Sequence, residues 1–464
     1  MFVLSRDRLS TTWVAFSPLT SERVNTPSHR EPHLDRLLRP ILWPLAVLSM
    51  LHLVCFPAAA GTETDDFTTV YRAVSRFLDG TVVYNEVYSH VDPHYLYNPG
   101  ATLLLSPLGI SSDLSTSRMV FIVANALAII SALGLLTRLF GHSLRGWLFP
   151  AAVLAASATE AVRSTLIFSN INGLLFLALV AFMALLLRNR LWWAGIVLGL
   201  AIVVKPFFAP LLLLPLVKAQ WPTIIAATGL PVALNLAAWP LMNQPERYFT
   251  EVTPYLSQVR DYANASLSGQ AVYFAMPGGL HAAAFLLIAA CVVISVVVLL
   301  RWRYSDPLLW VVTTSTVLLA GVFLLSSLGQ KYYSLLLIPL FFTATQARSV
   351  AHHWLTWVAA YLFLTPQPFV SDGWHREYVL TTLTAPLGWA LLIFAVTGTV
   401  VGWWRYAERG TPPAPRPRRH RAHPEARPEH VEHAGRHNPR NKRRPRRVVP
   451  REQSSPTPQR RLHS

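Results

Sequence analysis

Residues 61–105 read GTETDDFTTVYRAVSRFLDGTVVYNEVYSHVDPHYLYNPGATLLL. This stretch follows the first strongly apolar segment, Ile41 to Ala60, and a long series of further apolar segments comes after it. Two acids, Asp65 and Asp66, stand shortly after that first segment. A plain membrane anchor has no use for so many acids, arginines and tyrosines between two apolar runs. We therefore expect this loop to carry the chemistry and the other segments to position it.

The composition places the chain among polytopic membrane proteins. Hydrophobic residues make up 52% of the chain and charged residues only 14%, and apolar runs close to the length of a transmembrane helix recur along it. Backbone groups in lipid must form their hydrogen bonds internally, so these runs are predicted to be helices. The predicted fold class is an all-α polytopic membrane protein with about twelve membrane segments.

Charge divides the chain into three predicted regions. Residues 1–39 are a polar cytoplasmic leader, residues 40–405 are the membrane domain, and residues 406–464 are a basic tail predicted to be disordered. Short connections rich in Arg and Lys mark the cytoplasmic side, which puts both termini inside and the acid-rich loops 61–118 and 242–279 outside. The tail suits attraction to anionic lipid better than nucleic-acid binding, so no nucleic-acid partner is expected.

The outward loops hold the groups that a transferase needs for a lipid-phosphate-linked sugar. A carboxylate must take the proton from the acceptor hydroxyl, and Asp65 or Asp66 can serve as that base. Cations must hold the leaving phosphate and stabilise its developing charge. Lys205, followed by Pro206, interrupts a long apolar stretch. Because a lysine at membrane depth usually faces a partner or a cavity, Lys205 is the best phosphate candidate.

An apolar pattern follows the aspartate pair. The residues Phe67, Tyr71, Val74 and Leu78 recur at helical spacing, which predicts a short amphipathic helix that begins at the pair. Asp65 can cap this helix, which would be a purely structural role for one of the two acids.

Several other candidate residues also have a purely structural explanation. Lys205 can extend to the membrane interface. His94 can stack in an aromatic cluster, and Lys331 can be an interface anchor. Asn170 and Asn172 can form interhelical hydrogen bonds, with contact to a sugar hydroxyl as the alternative.

The order of several motifs resembles a known family. TDDF-x3-YRAV begins at Thr64, YNE-x4-VDPHYLY-x-PG at Tyr84, F-x-NING at Phe168 and RDY-x-N-x-S at Arg260, with the Lys205-Pro206 step between the last two. This pattern is similar to that of the GT-C polyprenyl-phosphate-sugar glycosyltransferases of glycosyltransferase family 87. Within that family it most resembles the arabinofuranosyltransferases, over roughly residues 40 to 400.

The resemblance implies a reaction and a location. It implies a decaprenyl-phosphate-arabinose donor, an arabinan acceptor and α-(1→3) branches in cell-wall arabinogalactan and lipoarabinomannan. A β-linked donor and an α-linked product imply an inverting single displacement with one base, which the resemblance places on Asp66 with Asp65 as neighbour or alternate. It also implies a plasma-membrane enzyme whose active site faces outward, with no cofactor, although dependence on a divalent cation is left open.

The predicted site residues form three groups. The base is Asp66 or Asp65. The phosphate-binding cations are Lys205, Arg72 and Arg163. The substrate-binding residues, chosen partly because aromatic faces suit the apolar surfaces of sugars, are Tyr84, Asp92, His94, Tyr95, Tyr97, Asn170, Asn172 and Arg260. No metal ligands are predicted.

Two other functions are compatible with parts of the pattern. Residue chemistry does not separate a furanose pocket from a pyranose pocket, so a polyprenyl-phosphate-mannose-dependent mannosyltransferase of the same fold is one alternative. A lipid-linked glycan transporter is the other, and it predicts inverted repeats with polar sites at the bilayer midplane. Here the polar residues are concentrated in the outer loops instead, which favours the enzyme.

Overall fold

The computed structural model describes residues 32–62, 65–89, 93–367 and 377–409. These residues are mostly helical, and they contain one isolated parallel bridge, Val82 to Asn243, but no β-strand. The all-α prediction is therefore confirmed for the described part of the chain. The described ranges belong to one compact unit, and residues 1–31 and 410–464 lie outside them.

Seventeen α-helices are defined within the described ranges. They are α1 (Pro32–Leu53), α2 (Asp66–Leu78), α3 (Pro99–Leu105), α4 (Leu114–Leu139), α5 (Leu148–Ser157), α6 (Glu160–Ile167), α7 (Asn172–Leu187), α8 (Leu191–Val204), α9 (Leu213–Val217), α10 (Trp221–Ala238), α11 (Thr253–Ser257), α12 (Leu267–Tyr273), α13 (Gly278–Leu299), α14 (Pro307–Leu325), α15 (Pro339–Phe342), α16 (Trp354–Leu364) and α17 (Glu377–Arg409). Shorter π and 3₁₀ segments include Val54–Ala58, Ser106–Gly109, Pro206–Leu212, Tyr248–Val252 and Lys331–Leu337.

Six helical segments within the described residues are long and apolar enough to cross a membrane. They are Asp35–Ala58, Leu114–Leu139, Trp221–Leu241, Gly278–Trp302, Pro307–Leu325 and Thr382–Tyr406. Five shorter apolar helical segments accompany them: Leu148–Ser157, Asn172–Leu187, Leu191–Val204, Pro206–Val217 and Trp354–Leu364. The chain is thus a membrane protein, as predicted.

The long helices differ in how much protein surrounds them. Only 11% of the apolar window of Trp221–Leu241 is buried, whereas 78% of that of Pro307–Leu325 is buried. Hence α14 lies at the centre of the bundle and α10 at its edge. The Phe323 ring of α14 packs against Trp389 of α17 at a centroid distance of 5.5 Å, and the Trp389 indole donates to Ser334 Oγ at 2.9 Å.

The first helix begins earlier than the predicted span. The sequence predicts a span from Ile41, but α1 starts at Pro32, inside the segment predicted as a polar leader. The Asp35 carboxylate accepts a hydrogen bond from the Trp147 backbone N–H at 2.9 Å. This tertiary contact ties the first turns of α1 to the start of α5, which residue polarity alone does not reveal.

Two predicted local features are confirmed. The amphipathic helix expected at the aspartate pair is α2, which begins at Asp66. The break expected at Lys205 is also present: α8 ends at Val204, Lys205 has an extended backbone, and a 3₁₀ segment starts at Pro206. Proline lacks the N–H needed to continue the helical ladder and restricts the residue before it, so the chain turns at this position.

Candidate active site

The two adjacent aspartates point to different surroundings. Asp65 is the N-cap of α2, and its carboxylate accepts from the Thr68 backbone N–H at 2.6 Å. Its second oxygen accepts from Arg118 Nε at 2.7 Å. Asp65 is 8% exposed, so both of its oxygens are used in a buried structural contact. The capping explanation therefore fits Asp65, and Asp66 is the carboxylate left for chemistry.

Arg118 joins the start of α2 to two neighbouring segments. Besides Asp65, its guanidinium donates to the carbonyls of Ala58 (3.0 Å), Ala59 (3.3 Å) and Ile167 (3.1 Å). Gly61 has φ +69°, and a Cβ there would lie 2.5 Å from Arg118 Nη2, so the turn needs glycine for both its backbone and its space. The sequence analysis did not identify Arg118, although an arginine in the predicted acid-rich loop 61–118 was a usable signal.

Asp66 is fixed by its backbone and is partly buried. Its N–H donates to the Phe168 carbonyl at 3.0 Å, which joins the first turn of α2 to the end of α6. Burial raises the pKa of Asp66 above its ordinary value of 3.8, nearby Lys205 lowers it, and the Asp65 charge raises it. A raised pKa makes this carboxylate a better proton acceptor once it is ionised.

Lys205 is held between aromatic rings. Its Nζ lies 5.2 Å from the centroid of the Tyr97 ring and 5.7 Å from that of Tyr333. Such contacts stabilise a desolvated cation. Asn98 helps to fix the region, because its side chain caps α3 and also donates to the Val203 carbonyl at 2.7 Å. The VDPHYLY segment is thereby joined to the end of α8 beside Lys205.

Asp66 borders two cavities. The first, here called the Lys205 cavity, has a volume of about 400 Å³ and is lined by Asp66, Lys205, His94, Tyr97 and Arg260 among others. Much of its remaining wall is apolar: Leu96, Val204, Pro206, Phe207, Val322 and Phe323. This cavity thus combines two cationic side chains and one carboxylate with a hydrophobic surface.

The second space, here called the Glu160 cavity, has a volume of about 560 Å³. It shares Asp66, Pro93, Arg260, Gln330 and Tyr332 with the first cavity. Its own polar lining includes Glu160, Ser164, Asp261, Asn264 and Lys331. Asp66 therefore borders two different cavities. The Lys205 cavity has cationic side chains and apolar walls, and the Glu160 cavity has polar groups of both charges.

Arg260 and the second outer loop are held in place by Asn264. The Asn264 amide donates to the carbonyls of Arg260 (3.0 Å) and Ser327 (2.8 Å) and accepts from the Gly329 N–H (3.0 Å). The Arg260 guanidinium carbon lies 5.5 Å from the Tyr255 ring centroid. Asn264 belongs to the RDY-x-N-x-S motif but was not predicted as a site residue, because nothing in the sequence says that the loop pairs with residues 326–330.

Several predicted site residues lie away from both cavities. Arg72 and Arg163 are exposed and are outside the sets of described residues that line the two cavities. Asp92 lies outside the described residues. The structure therefore adds no support to the phosphate-binding role predicted for the two arginines, and that role stays a prediction.

Tyr84 and Tyr95 are completely buried. The Tyr84 hydroxyl donates to the Tyr97 carbonyl at 3.0 Å, and the Tyr95 hydroxyl is 2.8 Å from Thr102 Oγ1. Glu86 accepts from the Tyr95 N–H at 2.9 Å and pairs with Arg76 at 3.0 Å. Both tyrosines therefore form hydrogen bonds within the loop and do not line either cavity. The substrate-binding role predicted for them stays a prediction.

The remaining predicted site residues also differ in whether they reach a cavity. His94 and Tyr97 line the Lys205 cavity, and His94 Nδ1 is 3.4 Å from Glu86. Asn170 reaches a small void of about 10 Å³ beside Asp66 and accepts a hydrogen bond from the Asn172 side chain at 2.8 Å. Asn172 is fully buried. Within the described ranges, no group of three or more His, Cys, Asp or Glu side chains is arranged to hold a metal ion.

Comparison with known proteins identifies similar sequences. The sequence profile of glycosyltransferase family 87 matches residues 95–327. The chain is 46% identical over 410 residues to an α-(1→3)-arabinofuranosyltransferase from Corynebacterium glutamicum, covering 87% of this chain and 97% of that protein. Proteins of the same name from Mycobacterium tuberculosis (42% over 382 residues, 81% of this chain and 88% of that protein) and Mycolicibacterium smegmatis (40% over 393, 82% and 90%) are also similar.

Proposed function

The chain belongs to glycosyltransferase family 87, and on that basis we propose that it transfers arabinofuranose from a polyprenyl-phosphate donor to an arabinan, forming an α-(1→3) link. The proposed donor is decaprenyl-phosphate-arabinose. The observation that carries the proposal is the position of Asp66, which borders the Lys205 cavity on one side and the Glu160 cavity on the other. A single displacement needs such a carboxylate between two substrates.

The Lys205 cavity suits the donor. Lys205 supplies the positive charge for the phosphate, and the apolar wall that includes Phe207 and Phe323 suits the first isoprene units. Arg260 borders the same space and adds a second cation. Because charge develops on the phosphate oxygens as the sugar leaves, fixed cations in a largely water-excluded site lower the barrier. His94 and Tyr97 offer ring faces to the sugar.

The reaction is one inverting step. The acceptor 3-hydroxyl attacks the anomeric carbon, a new carbon–oxygen bond forms, and the bond from that carbon to the phosphate oxygen breaks. Asp66 takes the hydroxyl proton, while the electron pair of the broken bond leaves with polyprenyl phosphate. Asp65 holds α2 in place through Arg118 and does not exchange a proton. Protein cations suffice for a leaving group with a single phosphate, so no metal or other cofactor is proposed.

The proposed topology has about twelve membrane segments, with both termini in the cytoplasm and the active site on the outer face of the plasma membrane. Excess Arg and Lys in the short connections of one side supports this orientation. The leader (1–39) and the basic tail (406–464) are then cytoplasmic extensions of a membrane domain spanning 40–405.

Donor choice tests the proposal most directly. Membranes containing the protein would be given radiolabelled decaprenyl-phosphate-arabinose or polyprenyl-phosphate-mannose, together with a short arabinan acceptor. We expect label from arabinose alone to appear in an α-(1→3)-linked product, with no loss of rate in the presence of EDTA. Transfer of mannose with none of arabinose would replace the proposed function with the mannosyltransferase alternative.

A further inference from the structure

The Glu160 cavity contains polar groups that the single displacement does not use. We infer that it is the acceptor site, and that Glu160, Gln330 and Lys331 bind the sugar units next to the one that attacks. This inference rests on the proposed function, because it takes Asp66 as the base. It adds the residues that distinguish an extended acceptor from a single sugar.

The charged groups of this cavity retain free hydrogen-bonding capacity. Glu160 accepts from Ser164 Oγ at 2.5 Å through Oε1, which leaves its second oxygen. Lys331 donates to the Thr365 carbonyl at 3.2 Å, and an ammonium group has three N–H donors. The ion pairs found within the described residues include neither side chain. Both can therefore bond to sugar hydroxyls, which donate to a carboxylate and accept from an ammonium.

The charges around this cavity disfavour a phosphate. The carboxylates of Asp66, Glu160 and Asp261 outnumber the cations of Arg260 and Lys331. A site for a phosphate would carry an excess of cations, as the Lys205 cavity does with Lys205 and Arg260 against Asp66. A mixture of both signs with amide groups suits a ligand with many hydroxyls and no charge. An arabinan chain has this chemistry.

The wall is preformed and the space is large enough for more than one pentose. Gly329 is closely packed, since a Cβ there would lie 2.5 Å from the Phe323 carbonyl oxygen. The Gln330 side chain donates to the Ala263 carbonyl at 2.9 Å, which ties the turn before Lys331 to the second outer loop. Cavities of ~300–1,000 Å³ hold drug-sized ligands, and this one has about 560 Å³.

Acceptor length provides the test. Purified protein in detergent would be assayed with decaprenyl-phosphate-arabinose and two acceptors: an alkyl arabinofuranoside and a linear arabinofuranose trisaccharide. The variants are Glu160→Gln and Lys331→Met. We expect each to raise the KM for the trisaccharide about 10-fold, the size of one lost hydrogen bond to a charged group. The KM for the single sugar, the KM for the donor and kcat should stay unchanged.

Two controls accompany these variants. Lys331→Arg keeps the cation and should restore most of the affinity for the trisaccharide. Glu246→Gln removes an exposed carboxylate of the second outer loop and should change no constant. A merely structural role of Glu160 or Lys331 would lower kcat or affect both acceptors alike.

The inference is overturned if both variants bind the trisaccharide as tightly as the wild type, or if only the KM for the donor rises. That result would leave the proposed function intact, since the wild type would still transfer arabinose. If the wild type transfers no arabinose to either acceptor, the proposed function itself fails.

Discussion

Asp65 and Asp66 are neighbours in sequence but belong to two different regions of the molecule. Asp65 belongs to a set of hydrogen-bonded side chains, here called the frame, that also contains Arg118, Tyr84 and Tyr95. Each of these side chains forms its hydrogen bonds with other groups of the protein. Asp66 lines the Lys205 cavity together with Lys205 and Tyr97, and these lining residues are here called the wall. The difference shows that one motif carries both kinds of residue. Substitutions in the frame should affect mainly stability, and those on the wall mainly transfer.

The largest expected effect is on the wall, at Asp66. Removing a general base typically costs 10²–10⁴ in rate, so Asp66→Asn should lower arabinose transfer by about 10³-fold with little change in stability. Asp65→Asn should lower the thermal midpoint and retain much of the activity per folded molecule. Rates would be measured with labelled donor and normalised to folded protein. The opposite pattern, with Asp65→Asn inactive and Asp66→Asn active, would reverse the two assignments.

Lys205 should give the next largest effect. Losing one group that stabilises developing charge costs about 10²-fold in kcat, and this is expected for Lys205→Met. The matched control is Lys218→Met, since Lys218 Nζ also lies over two rings, 5.3 Å from Tyr304 and 5.6 Å from Trp310, but outside both cavities. Equal losses of kcat in the two variants would mean that Lys205 acts only through packing.

Within the frame, Arg118→Met should strongly lower the free energy of unfolding. The substitution leaves the buried Asp65 carboxylate without its partner, and breaking such a buried pair costs about 3 kcal/mol or more. Thermal unfolding in detergent would measure this, with Arg190→Met, at an exposed arginine in the turn before α8, as control. A variant as stable as the wild type would show that the Asp65 contacts do not hold the frame.

The pH dependence links the two regions. Burial raises the pKa of Asp66, Lys205 lowers it, and the Asp65 charge raises it. A base must be ionised, so kcat/KM should fall on the acid side through a limb centred above pH 3.8, the ordinary pKa of an aspartate. Asp65→Asn removes a negative charge and should move this limb to lower pH. A limb that Asp66→Asn leaves in place would belong to another group.

The smallest effect is expected at Tyr84. Tyr84→Phe loses the hydrogen bond to the Tyr97 carbonyl, which is worth about 1 kcal/mol, and keeps the buried ring. The variant should unfold at a slightly lower temperature while its kcat and both KM values stay unchanged. A clear rise in the donor KM would instead place Tyr84 in contact with the sugar, as the sequence predicts.

The local structure around the loop follows well from the sequence. The amphipathic spacing and the capping aspartate predict α2, and the Lys205-Pro206 step predicts the break after α8. These features depend on neighbouring residues, so they are visible in a short window of sequence. The early start of α1 was not predicted in this way. The first turns of this helix contact a distant part of the chain, since the Asp35 carboxylate accepts from the Trp147 N–H.

The structure brings only some of the predicted site residues to the two cavities, for the same reason. Polarity and aromatic character identify the loop, but they do not tell which side of it faces the cavity. Tyr95 and Tyr97 are two residues apart with the same side chain, yet Tyr95 is buried against Thr102 and Tyr97 faces Lys205. Arg72 and Arg163 have the right charge but are exposed.

By itself, the sequence determined the helical membrane class, the family and the choice of the aspartate pair as the candidate site, because hydropathy, motif order and residue chemistry are properties of the chain alone. Only the tertiary structure decided that Arg118 pairs with Asp65, that Asp66 borders two cavities, and that Asn264 joins the loop 242–279 to the turn before Lys331. These contacts join residues from separate segments of the chain. Their formation depends on how the helices pack, which no local pattern of residues encodes.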